Sequence, residues 1–345
     1  MNYPVAVIIP VYKNDTPQYV RPAIDSIIKQ TYSCRIYIGV DGPIGNSLNS
    51  CLEAYENNKN VSIVRFAENR GLACVLNDLL QICFDNGYEY IARMDADDIS
   101  LPDRIEKQIC FLNEHPEIDV VGGAINEIDE EGCESGKTIV YPATPTECKK
   151  FFAKRNPLAH PAVLFRKSFF DKIGHYNEAL ARTEDNEIHY RMRKAGFKLR
   201  FCPDIISYQH TRSSLPKMLK QKYGNGYWIG KTSKVCPGCL SVYHFVPWAF
   251  VMAIIVTTVA SVSCKLLAVK SFFSRIVYGL TGLMWGSYWL LAVVMSVVAV
   301  IGAKKERNKT CFALPFLFFL LHISYGIGTV CGLAAKKPAK ETRNR

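Results

Sequence analysis

The chain has 345 residues, a formal net charge of +11 and 49% hydrophobic residues, with a mean hydropathy of +0.02. This is too apolar for a purely soluble enzyme, and the excess lies almost wholly beyond residue 242. No nucleic-acid-binding motif accompanies the basic balance, which argues against a nucleic-acid partner.

The first part reads as one large α/β domain. It opens with the strand pattern "VAVIIPVY", without a basic start, a free apolar stretch or a cleavage site. The folded domain is therefore expected to stay in the cytoplasm. A helix follows in "DTPQYVRPAIDSIIKQTY", with Thr16 as its cap, Pro17 at its first position and Ala23, Ile24, Ile27 and Ile28 on one face. Then come a strand in "RIYIGVD", a helix in "LNSCLEAYEN", a strand in "VSIVRF" and a helix in "GLACVLNDLLQICFDNG" ending near Gly87. "YEYIARMD" predicts a fourth strand. "LPDRIEKQICFLNEHP" predicts a helix capped by Ser100, and "DVVGGAINEID" and "GKTIVYPA" are strand-like. Alternation of this kind builds a mainly parallel sheet, whose ligands bind outside the C-terminal strand ends. Asp41 ends the second strand and Asp95 and Asp97 end the fourth, so these acids should converge.

Three apolar pieces follow, 242–262, 276–303 and 312–335, each free of Asp, Glu, Lys and Arg. Each has roughly the 20 residues a helix needs to cross ~30 Å of hydrocarbon. Buried core helices are the alternative. Five lysines between Lys217 and Lys234 precede them, a charge that suits the anionic cytoplasmic face of a membrane. Three spans place the basic tail "KKPAKETRNR" on the far side and the loop "KKERNK" inside. If the first piece, interrupted by Pro247, lies in the interface, both are reversed. The 13 cysteines are scattered as reduced thiols would be, and "VCPGC" lacks the second ligand pair of a zinc site.

The stretch "ARMDADDISLP" concentrates Asp95, Asp97 and Asp98. In an extended segment Asp95 and Asp97 share one side and Ala96 faces away. Such a pair suits a hard divalent cation, Mg²⁺ or Mn²⁺, held together with substrate phosphates. An acid-rich turn, with Asp98 or Ser100 capping the next helix, is the alternative. A haloacid-dehalogenase-like phosphatase fits poorly, because its paired acids lie near the start of the fold.

Six stretches in order resemble family 2 glycosyltransferases of the GT-A fold: "VAVIIPVYKND", "IGVDGPIGN", "NRGLACVLNDLL", "MDADDISLPDRIEKQ", "NPLAHPAVLFRKSFFDKIGHYNE" and "TEDNEIHYRMRKAGFKLRF". They cover about residues 4–210 and look most like bacterial enzymes that build exopolysaccharide, capsule or O-antigen. The basic "YGNGYWIGK" before apolar spans is similar to the tail of succinoglycan-type enzymes. The resemblance implies a GT-A domain over 1–215, a basic juxtamembrane linker over 216–241, a membrane region over 242–335 and a basic tail over 336–345.

It also implies roles. Pro10, Val11 and Tyr12 seat the nucleotide, and Asp41 contacts its base or ribose, although "VDGP" has one acid where the family usually has two. Asn69 and Arg70 lie near the nucleotide. Asp95, Ala96 and Asp97 form the metal and diphosphate motif. Asp185 is the catalytic base, with Glu184 beside it, and His160 lines the acceptor region or serves structure. His210 and Arg212 could reach the diphosphate or be solvated. The Gln-x-x-Arg-Trp motif of processive synthases is absent, which favours single-sugar transfer.

The implied activity is inverting, metal-dependent transfer of one sugar from a UDP- or GDP-sugar to a lipid-linked saccharide. It takes place at the inner membrane with the catalytic domain in the cytoplasm. Transfer to polyprenyl phosphate, and a non-catalytic membrane scaffold, are the alternatives.

Overall fold

The computed structural model describes residues 4–142, 144–151, 158–211, 214–268, 271–302 and 309–337. They form two compact units: residues up to 211 with Val235–Ser241, and Ser214–Lys234 with Val242–Lys337. The segment 216–241, expected as one linker, is thus divided between them.

The first unit runs β1 (Val5–Tyr12), α1 (Pro17–Ile28), β2 (Arg35–Asp41), α2 (Asn46–Glu53), β3 (Val61–Arg65), α3 (Leu72–Asp85), β4 (Tyr90–Arg93), β5 (Asp98–Ser100) and α4 (Arg104–Glu114). It continues with β6 (Val120–Ile128), β7 (Glu134–Ile139), α5 (Pro145–Phe151), β8 (Leu164–Arg166), α6 (Lys167–Ile173), α7 (Glu184–Lys194) and β9 (Leu199–His210). The strand order is β3-β2-β1-β4-β8-β6-β9-β5, with β7 on β6. The β3-β2-β1-β4 half is parallel and β6 pairs β9 in parallel. The β4-β8, β6-β8, β5-β9 and β6-β7 pairs are antiparallel.

Both faces of the sheet are covered, as near-continuous apolar strands require. Along β1, Val5, Val7, Ile9 and Val11 enter one core and Ala6 and Ile8 the other, the period-2 alternation of a strand. The second core also takes α3, α6 and α7 through Leu76, Leu79, Phe169, Phe170, Ile188 and Met192.

Two local expectations fail. Ser100 does not cap α4. It ends β5, where its backbone N–H donates to Ser26 Oγ at 3.1 Å and its hydroxyl accepts from Arg104. The cap position belongs to Asp103. Ile28, placed on the buried face of α1, is exposed, because the helix ends there and the face turns outward.

The second unit comprises α8 (Leu215–Thr232), α9 (Val246–Leu266), α10 (Phe272–Gly302) and α11 (Leu314–Ala334). The segments Val242–Leu266, Phe272–Gly302 and Cys311–Ala334 are long and apolar enough to cross a membrane. Pro247 does not interrupt the first of them. It sits in the opening turn of α9, where no N–H is needed, and the helix runs on unbroken.

The basic helix α8 lies along α11 in parallel. Ser324 Oγ donates to Leu219 O at 2.7 Å, and Lys234 reaches Ala335 O. Between these points the backbones nearly touch. A Cβ on Gly226 would overlap Tyr325 O, one on Gly328 would overlap Tyr223 O, and one on Gly332 would overlap Tyr227 O. Small residues four apart on both helices allow that approach.

Candidate active site

Three parallel strands end side by side. The register sets Tyr12 beside Asp41 and Ile8 beside Arg93. Val11 is buried in the core, so it can offer a ligand only backbone, whereas Pro10 is half-buried and Tyr12 exposed.

Asp41 organises the loop before α3. Its Oδ1 accepts from Arg70 N–H at 2.8 Å and its Oδ2 from Gly71 N–H at 3.0 Å, while Asn69 Nδ2 donates to its carbonyl at 3.1 Å. Gly42 (φ 78°) permits this closeness, because a Cβ there would meet the Asn69 backbone. The Arg70 guanidinium pairs with Asp78 and lies 5.0 Å from the Phe66 ring centre.

The acid cluster follows β4, and Asp95, Ala96 and Asp97 lie in a turn and not on an extended strand. Asp95 is a third exposed and pairs with Arg93 Nη2 at 2.5 Å; Asp97 is exposed. Ala96 is buried. Asp98 caps no helix. It opens β5 opposite Gln209 of β9, fully buried, with both carboxylate oxygens lacking a hydrogen bond of good geometry. Burial, with Asp95 and Asp97 near, holds its carboxyl well above the ordinary range.

His210 Nδ1 contacts Asp97 O at 2.7 Å, and its ring rests on Tyr19. Arg212 lies outside the described residues. Beneath the turn, buried Arg104 donates to Ser100 Oγ at 2.9 Å and to Arg93 O at 2.8 Å, fixing β4 to β5.

A fourth acid joins from the β1–α1 loop. Asp15 Oδ2 accepts from Tyr12 N–H at 2.8 Å. Burial, then the charges of Asp97 and Asp95, raise its carboxyl to about 7. Four acids crowded together, one of them with orphaned buried oxygens, fit a divalent cation that would relieve their repulsion. Among the described residues no three His, Cys, Asp or Glu side chains could hold a metal by themselves. Asp95 and Asp97 would therefore be completed by phosphate oxygens and water.

A second polar group lies on the α7 side. Thr183 holds the cap position, and Glu184, Asp185 and Glu187 crowd the first turn, where a helix favours anions. Asp185 is half-buried and Glu184 buried. Burial and then Asp185 push Glu184 up to about 8. His160 approaches it to 3.8 Å through Nδ1, and its Nε2 lies 2.8 Å from Tyr176 Oη. Burial, then the charges of Arg93 and His189, hold His160 well below its ordinary value. With its pKa held well below neutral, His160 carries no charge at pH 7, so its approach to Glu184 is not an ion pair. Beside Tyr176 a cavity of about 950 Å³ opens against α3, lined by Phe66, Arg70, Asn77, Gln81, Tyr176 and Glu178 among others.

Arg93 connects the two groups: it pairs with Asp95 and feels the charge of Glu184. Sequence reasoning passed over Arg93, Asp15 and Arg104. The first was visible as one base inside the apolar strand "YEYIARMD", and the second as the acid closing "VYKND".

The Glycosyl transferase family 2 profile matches residues 6–174. Amylovoran biosynthesis glycosyltransferase AmsE from Erwinia amylovora is 33% identical over 202 residues, 58% of this chain and 74% of that one. The UDP-Gal:alpha-D-GlcNAc-diphosphoundecaprenol beta-1,3-galactosyltransferase of Escherichia coli is 27% identical over 177 residues, 51% of this chain and 63% of that one. The solved structure of the mannosyltransferase PcManGT from Pyrobaculum calidifontis, in complex with GDP-Man and Mn²⁺, aligns with a TM-score of 0.57 at 14% identity. The alignment covers 96% of this chain and 88% of that one, a likeness of fold.

Proposed function

The chain belongs to glycosyl transferase family 2 and is a glycosyltransferase of GT-A-like fold, and we propose that it moves one sugar, with inversion, from a nucleotide sugar to a lipid-linked saccharide in bacterial surface-polysaccharide synthesis. The observation that carries the reading is the pairing of two acid groups, Asp95 with Asp97 and Glu184 with Asp185, through the buried Arg93. Relatives named for amylovoran synthesis and for a diphosphoundecaprenol acceptor support the substrate class.

Asp41, Asn69 and Arg70 shape the loop that would receive the nucleotide, and Tyr12 offers an exposed ring beside it. Asp95 and Asp97 would hold a divalent cation. When bound, that cation stabilises the charge that grows on the departing diphosphate. Asp185 takes the acceptor's proton as its hydroxyl attacks. Single displacement from an α-linked donor gives a β product. The three apolar helices would hold the catalytic unit at the inner membrane, on the cytoplasmic side, near a lipid-borne acceptor.

The test is nucleotide release by the membrane-embedded protein with UDP- and GDP-sugars, presenting a polyprenyl-diphosphate sugar or polyprenyl phosphate. Transfer to the former alone, lost in Asp185→Asn, is expected. No release with any donor, or an unaffected Asp185→Asn, overturns the reading.

A further inference from the structure

Arg93 is built into the site in a way that leaves it half satisfied. Side chains alternate along β4: Ile91 enters the core shared with α7, Ala92 the opposite one, so Arg93 points to the α7 side. It is 3% exposed. Its Nη2 holds Asp95 Oδ1 at 2.5 Å, but Nε and Nη1 are buried without a hydrogen-bond partner. On the facing helix Glu184, 4% exposed, keeps Oε2 buried and equally without a partner. Each residue feels the charge of the other. Buried donors left unmade are costly, and charged ones most of all. An open buried donor and an open buried acceptor, each within range of the other's charge, point to a second arrangement in which they meet.

We propose that Arg93 is a positioning residue that exchanges carboxylates: it holds Asp95 in the donor-free protein and pairs with Glu184 once a divalent cation and the donor diphosphate take Asp95. This rests on the reading of Asp95 as a cation ligand given above. No covalent bond changes; one guanidinium turns between two acids. Asp95 cannot serve Arg93 and a cation with the same oxygen, so the cation competes with Arg93, and Glu184 receives what is displaced. Donor occupancy is thereby reported to the first turn of α7, where Asp185 sits next to Glu184. The coupling is reciprocal: what strengthens the Arg93–Glu184 pair strengthens cation binding.

The test is Mn²⁺ affinity of the full-length protein in detergent with saturating UDP or GDP, read from the electron paramagnetic resonance signal of free Mn²⁺ against a nucleotide-only control. Asp95→Asn should lose binding. Arg93→Met should bind about fivefold tighter or more, because nothing competes for Asp95. Glu184→Gln keeps the shape but cannot become a carboxylate for Arg93, and should bind about fivefold weaker or more. In the double variant the Glu184→Gln effect should vanish. A purely structural role for Arg93 would weaken binding in every variant. Wild-type affinity in Glu184→Gln, or weaker binding in Arg93→Met, overturns the exchange. If Arg93→Met does not fold, Glu184→Gln decides alone. If wild type binds no Mn²⁺, the cation reading falls and the exchange with it. If wild type binds and Asp95→Asn does not, only the exchange is at stake.

Discussion

Tyr12 and Asp15 close the turn after β1 twice over: Tyr12 N–H donates to Asp15 Oδ2 at 2.8 Å, and Asp15 N–H donates to Tyr12 O at 3.0 Å. The charges of Asp97 and Asp95 add to burial in raising the Asp15 carboxyl. The end of β1 therefore contributes a carboxylate to the acid cluster.

Asp15 and Glu184 are both held above their ordinary values, to about 7 and about 8. A raised acid binds its proton more tightly folded than unfolded. Its contribution is complete below pH 4 and is lost as pH rises toward 7 to 8. The melting temperature of the metal-free protein is predicted to fall between pH 5 and 8. Asp15→Asn and Glu184→Gln should each flatten that slope in a pH series of thermal melts. A slope unchanged in both would show that neither carboxyl is perturbed.

The Asp41 carboxylate satisfies two backbone donors at the start of α3. Asp41→Ala leaves both without their partner, at about 1–3 kcal/mol of stability. We predict a lower melting temperature together with a raised donor KM and a smaller change in kcat. Steady-state kinetics across donor concentrations, beside thermal melts, separates these. A stable variant with normal donor KM would remove Asp41 from the donor site.

Asp185→Asn should lower kcat by ~10²–10⁴ with donor KM little changed, the loss expected for a general base. Product-release kinetics at saturating donor measures it. The same preparations treated with a chelator should lose transfer and regain it with Mg²⁺ or Mn²⁺, if Asp95 and Asp97 act through a cation.

Gly328 faces the Tyr223 carbonyl with no space for a side chain. Gly328→Leu must push α8 from α11, and overpacking of this kind typically costs about 1–3 kcal/mol. Protease cleavage within residues 214–234 should accelerate in detergent, while Gly279→Leu, at a position with nothing near its Cβ, should not. Equal cleavage in both would argue against the close helix pair.

Strands β1 to β4 and the three apolar helices were legible because one period, 2 or 3.6, and one apolar run each identify them. The antiparallel additions were not. Leu164–Arg166 and Asp98–Ser100 are three-residue strands, too short for a period, and their pairing with β4 and β9 is decided by tertiary packing. Asp41, Asp95 and Asp185 could be named from motif and position. Arg93 could not be given a role, since it pairs with Asp95 and feels the charge of Glu184, and no local pattern links residues 93 and 184. The stretch of α8 read only as a basic linker, and nothing local showed that its glycines let a lysine-rich helix pack along an apolar one.

The chain's path between the two units bears on how the protein can be shortened. It leaves the catalytic unit before Ser214, returns for Val235–Ser241 and leaves again at Val242. A version ending at residue 211 discards the Pro237–Cys239 turn, whose Gly238 fits against the Tyr190 hydroxyl on α7. A version ending at residue 241 keeps that turn but carries α8 with its glycine face stripped of α11, a sticky surface prone to clumping. Expression of a catalytic fragment thus calls for replacing 214–234 with a linker long enough to span the roughly 27 Å of α8, not for a single stop codon.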